Sequence, residues 1–275
     1  MIAPRAPVKI HLSSLPAAAG LSWIRRALRT FFRRPAGFMG LFGLVLFVLL
    51  VLALLPPAAQ MFALALMPLL SLGFMLATEA VLDDLPVRPS LFWAPMAAGP
   101  AARRALVNIG LVYVLVFLLI FLFGDRIDGG EANRWLQAVF TPKADGTLPE
   151  PTPISGAGTL VVLLRTFGLA LVSVPLWHAP ALVHWGRQGA AQAMFSSVVS
   201  IWRTRAAFAA YMLGWCAIGL LFTLLLFVVG SLLGNLQLAV AVMTPVSWAL
   251  SAVFYISIWF GFVDTFQISA AAPAR

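Results

Sequence analysis

Few side chains in this sequence could do chemistry, and the densest group of them is SVPLWHAPALVHW at positions 173–185. Pro175 and Pro180 each remove a helical hydrogen bond and free carbonyls around Leu171 and Leu176. His178 stands between them. A broken helix with freed carbonyls and one imidazole is what a substrate or ion site in a transporter looks like. The same residues also describe a kinked packing helix whose histidine bonds across a bundle. His184 lies six residues on, about 240° around a helix at about 100° per residue, so the two histidines form no metal pair. Glu79, followed by Asp83 and Asp84, reads as a proton or cation site, or else as a hydrated helix end paired with Arg88. Arg165 is expected to snorkel to a membrane boundary with Asp125 or Asp128 as its partner.

Catalytic patterns are missing from the sequence. Serines 173, 196, 197, 200, 247, 251 and 257 sit in no G-x-S-x-G elbow, and H-E-x-x-H and phosphate-cradling glycine loops do not occur. Cys216 stands alone inside an apolar run, so no intramolecular disulfide and no Cys/His metal spacing is available. The expectation is a non-enzyme with no cofactor, no metal and no catalytic residue. Ser247, Ser251 and Tyr255, four residues apart, read as a stripe of close helix packing with interhelical hydrogen bonds. GSLLG at 230–234 reads as a helix cap.

These residues are carried by an unusually apolar chain. Of 275 residues 62% are hydrophobic and 10% charged, with 18 basic against 9 acidic, whereas a soluble domain carries about 25% charged residues. So few charges cannot solvate a globular surface, which excludes a soluble enzyme. A nucleic-acid-binding chain is excluded too, because the net charge of +9 comes without aromatic–basic interleaving. Six runs are long enough to cross a hydrocarbon core about 30 Å thick: 38–55, 60–82, 106–123, 160–185, 207–233 and 236–263. They are continuous rather than alternating, so helices are expected and strands are not. A first run this long, about 35 residues in, suits an anchor better than a cleaved signal.

Basic residues alternate between the loops. Arg5, Lys9, Arg25, Arg26, Arg29, Arg33 and Arg34 precede the first span; Arg88, Arg103 and Arg104, then Arg187, Arg203 and Arg205, follow the second and fourth; Arg275 ends the chain. Arg126, Arg134 and Lys143 fall on the other side, in a long loop at about 124–158 that also holds Asp125, Asp128, Glu131, Asp145 and Glu150. Positive residues stay cytoplasmic, so both termini are expected inside a bacterial cytoplasmic membrane.

Residues 21–34 are expected to form an amphipathic helix on that face. Leu21, Ile24, Leu28, Phe31 and Phe32 share an arc of about 100°, with Arg25, Arg26, Arg29 and Arg33 beside them and Trp23 at headgroup level. Each arginine adds about 1 kcal/mol at an anionic surface, which makes these four the expected contacts to anionic lipid. The other reading is a topology signal that packs the first span. Basic segments also precede the third and fifth spans, and proline marks the second, fourth and sixth at Pro68, Pro175, Pro180 and Pro245. This grammar suggests three units, each a basic segment plus a hairpin.

Three stretches, SWIRRALRTFFRRP (22–35), PLLSLGFMLATEAVLDDLPVRPSLF (68–92) and WHAPALVHWGRQGAAQAMFSSVVSIWRTRAAF (177–208), carry a resemblance to a group of uncharacterised six-helix inner-membrane proteins of beta-proteobacterial type. More distantly the chain resembles YciC-like proteins and the membrane domain of glycerophosphoryl diester phosphodiesterases. The soluble catalytic domain of the last group has no counterpart here, so the resemblance implies a membrane bundle without a hydrolase activity.

The expected architecture is therefore all-α, a polytopic bundle of six transmembrane helices, N-in and C-in, with cytoplasmic amphipathic interfacial helices. Residues 1–36 form a basic cytoplasmic segment, 37–264 the membrane domain and 265–275 a cytoplasmic tail. Membrane organisation or assembly, with lipids and other membrane proteins as partners and no nucleic acid, is the leading expectation. A small-solute or lipid transporter using His178, Pro175, Pro180 and Glu79 is the alternative.

Overall fold

A computed structural model describes residues 8–140 and 153–270; Arg5, Lys143, Asp145, Glu150 and Arg275 lie outside the described residues. The chain is almost wholly helical. Strand β1 (Val8–Leu12) leads into α1 (Ala18–Arg33), then α2 (Pro35–Ala53) and α3 (Pro57–Leu82). A 3-10 turn at Pro89–Phe92 and the short α4 (Ala94–Ala97) precede α5 (Pro100–Asp128) and α6 (Glu131–Phe140). After them come α7 (Gly156–Leu176), α8 (Ala179–His184), α9 (Ala190–Arg203), α10 (Arg205–Leu233), α11 (Leu236–Thr265) and strand β2 (Phe266–Ala270).

Local chemistry sets these boundaries. Proline opens α2, α3 and α5, where its missing N–H costs no hydrogen bond. Ser155 caps α7 by accepting from the Gly158 N–H at 3.1 Å, and Asn235 caps α11 by accepting from Leu238 at 3.0 Å. Gly129 and Gly234 end α5 and α10 in the left-handed region, φ 61° and 60°. The capping role expected for the 230–234 segment is thus met by Gly234, which turns the chain into the α10–α11 hairpin.

Six helical segments are long and apolar enough to cross a membrane: Pro35–Ala53, Ala63–Leu82, Pro100–Asp128, Gly156–His184, Arg205–Leu233 and Leu236–Thr265. α3 and α11 form the centre, with 56% and 50% of their apolar windows buried against 22% or less for the others. α2, α5, α7 and α10 surround them with broad apolar faces. This is the arrangement that lipid permits, since acyl chains solvate leucine as well as a protein core does.

The fourth span breaks at Trp177–His178 between α7 and α8, as Pro175 and Pro180 implied. Other sequence expectations change. The 124–158 loop is not all loop. α5 runs on to Asp128, and α6 folds back against α5 and α7. Of the segment expected as a tail, Phe266–Ala270 form β2, which pairs antiparallel with β1 in a register that sets Leu12 opposite Phe266 and Ile10 opposite Ile268. The Ser13 N–H extends the ladder to the Thr265 carbonyl at 3.1 Å. The strand before α1 and the strand after α11 therefore lie side by side.

Two of the expected basic segments dock on a neighbouring hairpin: α1 lies on α10 and α11 of the third, and α9 lies on α7 and α8 of the second. The segment expected at 100–104 is the start of α5 itself.

Candidate functional site

The break in the fourth span is closed by α9. Where an unbroken helix would bond the His178 N–H to the Val174 carbonyl, the Ser197 hydroxyl steps in. It accepts from the His178 N–H at 3.1 Å and donates to the Val174 carbonyl at 3.0 Å. The Ser200 hydroxyl donates to the Ser197 carbonyl at 2.7 Å, and His178 Nδ1 sits 3.4 Å from the Ser200 oxygen. Since Ser200 has one proton and has used it, this network assigns the imidazole proton to Nδ1. Nε2 is buried without a partner, and the rings of Phe208, Phe262 and Phe266 stand 5.5 to 6.1 Å from the imidazole.

His178 is wholly buried, and so are Pro180 and its neighbours Ala179 to Val183. Pro175 and Pro180 frame it as the sequence implied. Sequence reading noted Ser197 and Ser200 only as isolated serines. The signal that could have singled them out is spacing: two serines three residues apart occupy one helical face, able to span a gap opposite.

Glu79 lies on α3 beside α8, at the edge of this region. Trp185 is its hydrogen-bond donor, and the expected pairing with Arg88 is not formed: among the described residues the ion pairs are Arg26–Asp264 and Arg165–Asp125. No group of three or more His, Cys, Asp or Glu among the described residues could hold a metal. His178, His184 and Glu79 thus make no ligand cluster.

The basic helix departs furthest from expectation. Gly20, Trp23, Ile24, Ala27, Thr30 and Phe31 face the bundle. Leu21, Leu28 and Phe32, expected on the same apolar face as Ile24 and Phe31, are exposed. Trp23 does not sit among headgroups. It is 1% exposed, its indole N–H donates to Asp264 at 2.9 Å, and its ring packs on Phe208 and Tyr211. Arg26 pairs with the same Asp264 and lies over the Phe260 ring at 4.6 Å. Arg26, expected among the lipid contacts, is thus a latch to α11. Arg25, Arg29 and Arg33 remain exposed.

On a wheel of about 100° per residue, α1 carries three stripes rather than two. One packs on protein, one is an exposed apolar strip (Leu21, Leu28, Phe32), and one is basic. Asp264, a lone acid at the end of the last span, was the residue that sequence reading passed over.

At the opposite end of the bundle Arg165 does not snorkel. It is 4% exposed, donates to Asp125 at 2.8 Å and to the Asn133 side chain at 2.7 Å, and lies over the Phe121 ring at 4.5 Å. Asn133 in turn donates to Asp125 at 2.9 Å. Asp128 has a separate task, accepting from the Gly130 and Ala132 N–H groups at the start of α6. The Ser155 hydroxyl and amide both donate to Glu131, holding its carboxyl below the usual carboxylate range.

The Ser247–Ser251–Tyr255 stripe also differs from expectation. Ser247 and Ser251 donate to carbonyls of their own helix, at Thr244 and Ser247. The bond between helices is made instead by Tyr211 and Ser257, at 2.7 Å. The stripe lines a cleft of about 470 Å³ between α2, α3, α10 and α11.

The chain is similar to a protein of Burkholderia thailandensis named as a probable inner membrane protein. The two are 28% identical over 251 residues, which cover 91% of this chain and 92% of that one. No family model matches the chain, and no solved structure matches it. With the six apolar helices, the similarity makes this an all-α polytopic membrane protein of the inner-membrane kind. It lends nothing to the narrower likeness to YciC-like or phosphodiesterase membrane domains.

Proposed function

We propose that this chain is a non-enzymatic, multi-pass protein of the bacterial cytoplasmic membrane, with both termini cytoplasmic, that organises or stabilises membrane components. The observation that carries this reading is how the polar groups within the bundle are used. Ser197, Ser200, Tyr211, Ser257 and Arg165 all bond to other residues of the chain. A conduction path needs polar groups that a passing solute can meet, and these groups already have partners. The cytoplasmic placement rests on the arginine distribution; the β1–β2 pairing, which sets the strand before α1 beside the strand after α11, supports a common side for the two.

The transporter reading keeps one specific support: the proline-broken fourth span is real, and the buried Nε2 of His178 lacks a partner. Purified protein in liposomes separates the two. The organising role predicts solute and lipid movement no faster than in empty vesicles. Flux well above that level, abolished by His178→Ala without loss of the folded protein, would replace it with transport through this site.

A further inference from the structure

The cleft between α2 and α10 and the free arginines of α1 fit one ligand. The two helices stand apart, while α3 and α11 close the cleft behind them. α2 lines it from Phe42 to Leu49, about 10 Å along the helix axis, a length shorter than a leaflet about 15 Å deep. Its volume of about 470 Å³ falls among ligand pockets of about 300–1,000 Å³. The wall is mostly apolar: the Ser247 and Ser251 hydroxyls are spent on their own helix, which leaves the Tyr255 hydroxyl and the Trp215 indole N–H as its polar groups.

α1 lies across α10, α11 and the start of α2, about one helical turn beyond one end of this cleft. Gly20 lies against Ala207 and Tyr211 of α10, Trp23 against Gly261 of α11, and Phe31 stacks on Phe38 at the start of α2. Two contacts fix its rotation. Leu21 reaches Gly214, further along α10 and into the membrane, whereas Arg26 meets Asp264 near the end of α11. The exposed strip of Leu21, Leu28 and Phe32 therefore lies on the side of α1 toward the cleft, whose wall begins at Trp215, next to Gly214, and at Phe42, one turn beyond Phe38. Arg25 and Arg29, one helical turn apart, are exposed with no acidic partner among the described residues.

We propose that this cleft holds an acyl chain of one anionic phospholipid, whose phosphate is bound by Arg25 and Arg29. The charge arrangement selects this occupant: paired guanidinium forks suit phosphate oxygens, and an apolar strip followed by an apolar cleft suits only the tail beneath. The inference deepens the organising role by naming a component that the protein holds.

The test uses protein in phosphatidylcholine nanodiscs doped with phosphatidylglycerol, with retained lipid counted by native mass spectrometry after transfer to detergent. Wild-type protein should keep one phosphatidylglycerol per chain. Arg25→Gln with Arg29→Gln should lower the preference for phosphatidylglycerol about 30-fold while a diacyl lipid is still held. Gly219→Phe should hold neither lipid, because a Cβ at Gly219 meets open space and the ring enters the cleft. In unmutated protein, phosphatidylglycerol with brominated tails should quench the emission lost in Trp215→Phe, since Trp215 lines the cleft.

Equal retention by Gly219→Phe, no quenching of Trp215, or a dimer occupying the cleft in place of lipid would each overturn the site. Solute flux in liposomes would refute the organising role and leave lipid retention untouched, so the two failures are distinguishable.

Discussion

Replacing Asp125 with Ala is expected to destabilise the protein by about 2–3 kcal/mol, seen as a lower thermal midpoint in detergent with α5 and α7 parting at one end of the bundle. Removing one partner of a buried ion pair costs about 3–5 kcal/mol, because the other charge stays buried and uncompensated. Arg165 meets that condition at 5% side-chain exposure, but Asp125 keeps 42% of its own, so water softens the loss. Asn133 and the Phe121 ring also remain beside the guanidinium. Asp125→Asn, which keeps an acceptor, should cost less than the alanine change. Equal midpoints for wild type and Asp125→Ala would show that the pair adds nothing to the α5–α7 contact.

Gly20→Val is expected to undock α1. A Cβ at Gly20 would collide with the Ala207 carbonyl oxygen and stand 2.7 Å from the Tyr211 nitrogen. Both are backbone atoms of α10 that cannot move without moving that helix. Overpacking of this kind costs about 3 kcal/mol at the upper end, and its release would give up the Trp23 and Arg26 bonds to Asp264. Thr30 is buried in the docked helix and is close to cysteine in size, so Thr30→Cys in a Cys216→Ser background reports the change. Maleimide should leave position 30 unlabelled when Gly20 is present and label it in Gly20→Val. Labelling in both proteins would mean that α1 is not held against α10 and α11.

Most of the architecture is written in composition. Runs of some 20 apolar residues leave the backbone no alternative to helices in lipid, and proline and glycine at helix starts and ends mark where they turn. The broken fourth span was also legible, because Pro175 and Pro180 act on their own helix. What the sequence hid was which surface covers each face. In α1, Leu28 and Ala27 are both apolar, and periodicity does not say which of them meets protein and which meets lipid. The physical clue was size: Gly20 and Ala27 are small on the side where backbones approach closely.

The partners of the charged residues were hidden for another reason. Arg26 and Asp264 are 238 positions apart, and Arg165 and Asn133 are 32 apart, so only the folded packing brings them together. His178 was correctly placed at a break. Its partners, Ser197 and Ser200, lie on a helix that the sequence offered only as a basic segment.

Polar groups within the bundle are bonded inside the chain, within or between helices, and line no aqueous path. The direct measurement is the reaction of a charged methanethiosulfonate reagent with cysteines placed one at a time in Cys216→Ser protein in liposomes. Ser173, Ser197 and Ser251 are the positions, with exposed Leu85 as the reactive control. Leu85→Cys should be modified, and Ser173→Cys, Ser197→Cys and Ser251→Cys should not, from either side of the membrane. Modification of Ser197→Cys or Ser173→Cys at a rate near that of the control would reveal water beside the broken helix and contradict this reading.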